Sequence, residues 1–154
     1  MLVLAVALLA VRVPVAQACF GPKLYIGLSD TAEQRVFYAL VALYIKEKTG
    51  VETVAVPLED ADPLRALQEK RVDMAFAREI SQDFTPLVTA AGAPYLLSGR
   101  RPLEELQFTT VAPALQRLDR LLTPELFAPL AAEVAAGAPP AAAARAFLMR
   151  QRWI

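Results

Sequence analysis

The chain contains no histidine, which removes the side chain that most often serves as a general base near neutral pH. It holds one cysteine, Cys19. An internal disulfide therefore has no second thiol, and Cys–His catalysis and the usual Cys/His zinc sites are excluded with it. An excess of one charge is missing too, since 16 basic side chains face 16 acidic ones. Without Met1 to Ala18, which carry only Arg12, the balance is 15 against 16. That near-neutrality offers no electrostatic footprint for nucleic acid and no basic surface for an anionic membrane. Glu59, Asp60 and Asp62 lie close together in LEDADP, but without the spacing and glycine of an EF-hand loop, and helix capping accounts for them more simply than calcium. No metal, cofactor or catalytic residue is expected, and the chain reads as a binding protein rather than an enzyme.

What is present is apolar. Hydrophobic residues make up 56% of 154, enough for one domain with a real core and too many for disorder. Part of the excess sits at the start, where LVLAVALLAV is followed by the small-x-small sequence AQA, Ala16 to Ala18. This pattern predicts a signal peptide over residues 1–18 and a single domain over 19–154. No basic segment precedes the apolar run, so the leader is expected to begin upstream of Met1. The run itself is too short to span a bilayer. The expected location is the periplasm or cell envelope. VAQAC resembles a lipobox, which makes Cys19 either a lipidation site or a free thiol at the mature terminus. A lipid there would be the only membrane contact.

The spacing of apolar residues predicts an α/β domain with a short, mostly parallel sheet of about four strands and helices at the C-terminal end. Lys23 to Leu28 reads as a buried strand. The following helix runs to about Lys48, with Asp30 as cap, Glu33 completing a capping box and Gly50 as stop signal. Val36, Leu40, Leu43 and Tyr44 share one face, while Phe37, Val41 and Ile45 populate others. A helix apolar nearly all round must be buried on more than one side, by this domain or by a partner. Val51 to Pro57 alternates as a strand, Asp62 and Pro63 open a second helix, and Val72 to Ala77 is a third strand. Two short strand–helix–strand units in sequence imply parallel pairing. From Ile80 to Glu105 prolines and glycines break the pattern into short pieces, one or two of them helical turns. LQFTTVAP, Leu106 to Pro113, is expected to return as a fourth strand. Helices are then predicted over Ala114 to Leu122, over Pro124 to Ala136 with Thr123 as cap and a kink at Pro129, and over Pro140 to Arg150. Phe147 and Trp153 should pack the last of these onto the core.

Two places carry polar residues where an open α/β sheet presents ligands, beyond the C-terminal ends of its parallel strands. Ser29, Asp30 and Thr31 stand at the start of the first long helix. Asp30 and Glu33 already supply negative charge there, which suits a cationic or neutral polar ligand. Self-capping, the simpler account, explains the same residues without a ligand. Arg78 and Glu79 follow the third strand, as ligand groups or as a solvated pair.

The segments GLSDTAEQ…LYIKEKTG, LRALQEKRVDMAFA and LTPELFAPLAAEVAAGAPPAAAARAFLMRQRWI, in this order, resemble the substrate-binding proteins of glycine betaine, choline and osmoprotectant ABC transporters. Gly27, Glu33 and Gln34 fit the family's first turn, and Asp73 fits its aspartate before a strand. The resemblance implies a periplasmic-binding-protein-like, three-layer fold, a quaternary-ammonium ligand, and Gln34 among the ligand-binding residues. Family members close two lobes over the ligand. Here residues 77–106 are too few to form a second lobe, AREIS stands where the family has Glu-Tyr-Thr-Gly, and the aromatic before Thr-Glu-Gln is replaced by Thr31 and Ala32. The expectation is thus a single lobe acting in an ABC-type transport or sensing system, with a homodimer or envelope protein as partner. The other reading is an interaction subunit of an envelope complex that has lost its ligand.

Overall fold

The computed structural model describes residues 21–154; the expected signal peptide and Cys19 lie outside them. The chain is α/β, built on one five-stranded open sheet in the order β2-β1-β3-β5-β4. Strand β1 is Lys23–Leu28, helix α1 Ala32–Thr49 and β2 Glu52–Pro57; helix α2, Pro63–Gln68, leads to β3, Met74–Ala77. β1 pairs in parallel with both β2 and β3. The path steps outward from β1 to β2, then back past β1 to β3. Two crossovers of the same hand in opposite directions put their helices on opposite faces of the sheet. α1 accordingly packs over one face and α2 over the other.

The sheet is mixed rather than mostly parallel. Two short strands, β4 (Thr85–Val88) and β5 (Tyr95–Ser98), form a hairpin within the stretch expected to be irregular, and β5 pairs antiparallel to β3 and β4. Pro86 is tolerated because β4 is an edge strand, where a missing N–H costs no ladder bond on the open side. The expected strand over Leu106 to Pro113 does not form. One turn of helix α3, Arg101–Glu104, is followed by a 3-10 turn, Leu106–Phe108, and by helix α4, Val111–Leu121. Phe108, Val111, Leu115, Leu118 and Leu122 are all buried, a spacing of three and four residues that belongs to a helix. Pro113 falls in the first turn of α4, where its absent N–H has no intrahelical partner to lose. Helices α5, Pro124–Ala135, and α6, Pro140–Arg150, complete the chain, with Thr123 capping α5 through Leu126 N.

The main core lies between the sheet and α1, α4, α5 and α6. α1 is enclosed inside it. Phe37 is 0% exposed, with ring centroids 5.0 Å from Phe76 on β3 and 4.7 Å from Phe127 on α5. The chain's own helices cover most of the apolar surface of α1, and Tyr38, Ala39, Ala42 and Leu43 stay half-buried on its outer side. Phe147 and Trp153 do pack the last helix onto this core, in an edge-to-face pair 5.4 Å apart. A thinner layer on the opposite face holds Leu58, Ala66, Leu67 and Val72 over the small β3 side chains Ala75 and Ala77.

Candidate functional site

The turn after β1 is built by side chains that satisfy its own backbone. Thr31, extended at φ −112° and ψ 149°, is the helix cap; its hydroxyl accepts from Gln34 N at 3.2 Å. Gln34, 6% exposed, reaches back so that its side-chain oxygen accepts from Ser29 N at 2.7 Å. Thr31 N donates to Ser29 O at 2.9 Å. This corrects the expected box of Asp30 with Glu33. The cap sits one residue later, on Thr31, because Thr31 is the last residue before Ala32 turns helical, and Gln34 closes back on Ser29 N rather than on the cap's own N–H. Gly27 is fixed by packing: a Cβ there would come within 2.9 Å of the Leu58 side chain.

The shift of the cap leaves both turn carboxylates outside the capping network. Asp30, whose side chain is 86% exposed, lies 3.5 Å from Arg35. The Glu33 carboxylate points along the sheet edge to Arg78, 4.0 Å away and beyond the end of β3. β1 and β3 are parallel neighbours, so their C-terminal ends bring these two candidates together, although they are far apart in sequence. Glu79 follows Arg78 on the same edge, and its carboxylate has no hydrogen bond or ion pair among the described residues. The edge therefore carries Asp30, Glu33 and Glu79 against Arg35 and Arg78, three carboxylates to two guanidinium groups. Gln34 is buried and Ser29 half-buried in this scaffold, and Thr31 caps the helix from an exposed position. The predicted residues form an exposed shelf, and no aromatic side chain occurs in the turn or in Arg78 to Ile80.

Asp73, matched through the resemblance, belongs to the opposite edge of the sheet. Its carboxylate accepts from Tyr25 N at 2.8 Å and from Arg101 at 2.9 Å, while Arg101 also donates to Lys23 O at 3.1 Å. This cross-link ties β1, β3 and α3 together, and the 11% exposure of the Asp73 side chain makes it a partly desolvated pair. A cavity of about 660 Å³ opens beside it, at a place no local sequence pattern marks. Its walls come from α2, residues 81–84 and α3, segments that only the β3–β5–β4 hairpin order brings together. Asp62, one of the loose acidic cluster, caps α2 by accepting from Leu64 N at 3.0 Å, as its position before Pro63 suggests. Among the described residues no group of three acidic, histidine or cysteine side chains is arranged to hold a metal ion, and no helix is long and apolar enough to cross a membrane. No protein-family model, curated protein or solved structure matches the chain at a significant level.

Proposed function

We propose that the chain is an exported, single-lobe solute-binding domain of the osmoprotectant type, which takes a small cationic solute on the shelf at the C-terminal ends of β1 and β3. The observation that carries this reading is the division of labour in the turn. Thr31 and Gln34 do the capping, so Asp30 and Glu33 take no part in the cap hydrogen bonds. Exposed carboxylates in excess over their guanidinium neighbours attract a cation. Without an aromatic cage, recognition rests on charge and on hydrogen bonding to the turn rather than on ring faces. A shelf buries only one side of its ligand, and tight binding then needs a second surface from another copy of the chain or from an envelope protein. The alternative, an interaction subunit with no ligand, would use the side of α1 where Tyr38, Ala39, Ala42 and Leu43 are only half-buried.

Calorimetric titration with choline at low ionic strength tests the reading. The wild-type chain binds saturably, and Glu33→Gln and Asp30→Asn each weaken binding about two- to fivefold with little change in stability, the effect expected of solvent-exposed charge contacts. Absence of saturable binding, or binding indifferent to both substitutions, refutes it.

A further inference from the structure

The cavity at the other end of the sheet is unconnected with this reading, and its walls have a definite chemistry. One side is apolar: Leu64 and Leu67 from α2, with Val72 and Phe84. Most of the charges around it are already paired. Arg101 bridges Asp73 at 2.9 Å and Glu105 at 3.3 Å, and Arg100 bridges Glu104 at 3.0 Å. Two charges of opposite sign remain, Lys70 from the end of α2 and Asp83 from the segment before β4. Neither side chain has an ion pair or hydrogen bond among the described residues.

Lys70 stands at a position that favours another residue. Its φ is +57°, in the left-handed region that closes a helix most easily with glycine. Its N–H donates to Leu67 O and that of Arg71 to Ala66 O, the bonding of a glycine-type helix stop. A lysine here puts a basic residue among those lining the cavity, in a backbone conformation that glycine adopts more readily.

We infer that this cavity is a second small-molecule site, for an amino acid or short peptide with an apolar side chain. The ligand carboxylate meets Lys70, its ammonium meets Asp83, and its side chain lies on the Leu64, Leu67, Val72 and Phe84 wall. Lys70 and Asp83, the two side chains without a partner, offer one charge of each sign to a zwitterion, while Arg101 is shared between the carboxylates of Asp73 and Glu105. A volume of about 660 Å³ is within the range of ligand pockets.

The test is a titration of the purified chain with L-leucine and L-leucyl-L-leucine, followed by amide chemical shifts. At least one probe should saturate with a midpoint at or below about 1 mM, moving the amides of Lys70 and Gly99 and leaving those of Ser29 and Thr31 in place. Lys70→Gly should weaken binding about tenfold while raising the melting temperature by about 2–4 °C, since glycine relieves the left-handed residue. Asp83→Asn should weaken binding with no change in melting temperature, and Glu33→Gln should leave it unaltered. Failure of both probes to saturate overturns the inference. So does saturation unaffected by Lys70→Gly and Asp83→Asn, or binding of 4-methylpentanoate or leucinamide as tight as that of leucine.

Discussion

At the scale of single residues, the turn after β1 separates side chains that hold the fold from side chains that face solvent. Thr31→Ala removes the cap of an 18-residue helix and should cost about 1 kcal/mol in chemical denaturation, whereas Asp30→Ala should cost less than about 0.5 kcal/mol. Equal losses would return the cap to Asp30. Tyr44 supplies a pH-dependent case. It is buried against the main core, and burial raises the pKa of its phenol above 10.0 against the opposing charges of Arg117 and Arg120. A raised folded pKa means that the native state holds this proton more tightly than the unfolded chain does. The contribution is then complete below about pH 10 and fades as pH climbs through the higher native value. Denaturation midpoints should be level for this residue in the neutral range and decline in alkali, and Tyr44→Phe should flatten part of that decline. The sequence showed that a polar helix start follows β1, but not which of two adjacent residues caps it. Asp30 and Thr31 are both good caps, and one backbone torsion decides between them. Asp73 was matched only as a motif position; its partners are Tyr25 and Arg101, 48 and 28 residues away, which no local pattern announces.

At the scale of elements, α1 dominates the packing. Phe37→Ala should destabilise the domain by about 3–5 kcal/mol, and Phe37→Glu, which buries a charge among Phe76 and Phe127, should prevent stable folding at 25 °C. Circular dichroism of the two variants checks this. A folded Phe37→Glu protein that merely changes its oligomeric state would place Phe37 at an interface instead. The long elements were readable because their signals agree: Lys23–Leu28 and Pro140–Arg150 form with the predicted bounds, and Thr123, Asp62 and Gly50 end or begin helices where capping chemistry puts them. The β4–β5 hairpin was not readable. Each strand has four residues, too few to establish a period, and β4 contains a proline that argues against a strand unless its edge position is known. LQFTTVAP misled in the opposite direction. Its threonines, valine and phenylalanine favour a strand locally, while the helical spacing from Phe108 to Leu122 emerges only over a longer window.

At the scale of the whole molecule, the two faces of the sheet are unequal. Four helices seal the face of α1, and α2 with a few loop residues only partly covers the other. Stability resides on the first side, and the polar chemistry lies at the two ends of the sheet. The shelf at the C-terminal end was foreseeable in composition, since Glu33 and Arg78 both follow predicted parallel strands. Their meeting depends on β1 and β3 being neighbours, which strand order settles and sequence does not. Native mass spectrometry of the protein, purified gently from its own envelope, tests the binding-domain account most directly, because one spectrum reads bound solute, subunit count and the mass at the N-terminus. The account predicts a monomer or homodimer that carries a small cationic adduct, lost when Asp30 and Glu33 are both neutralised. An adduct-free protein found only in complex with another polypeptide would contradict it and reduce the turn to a helix start.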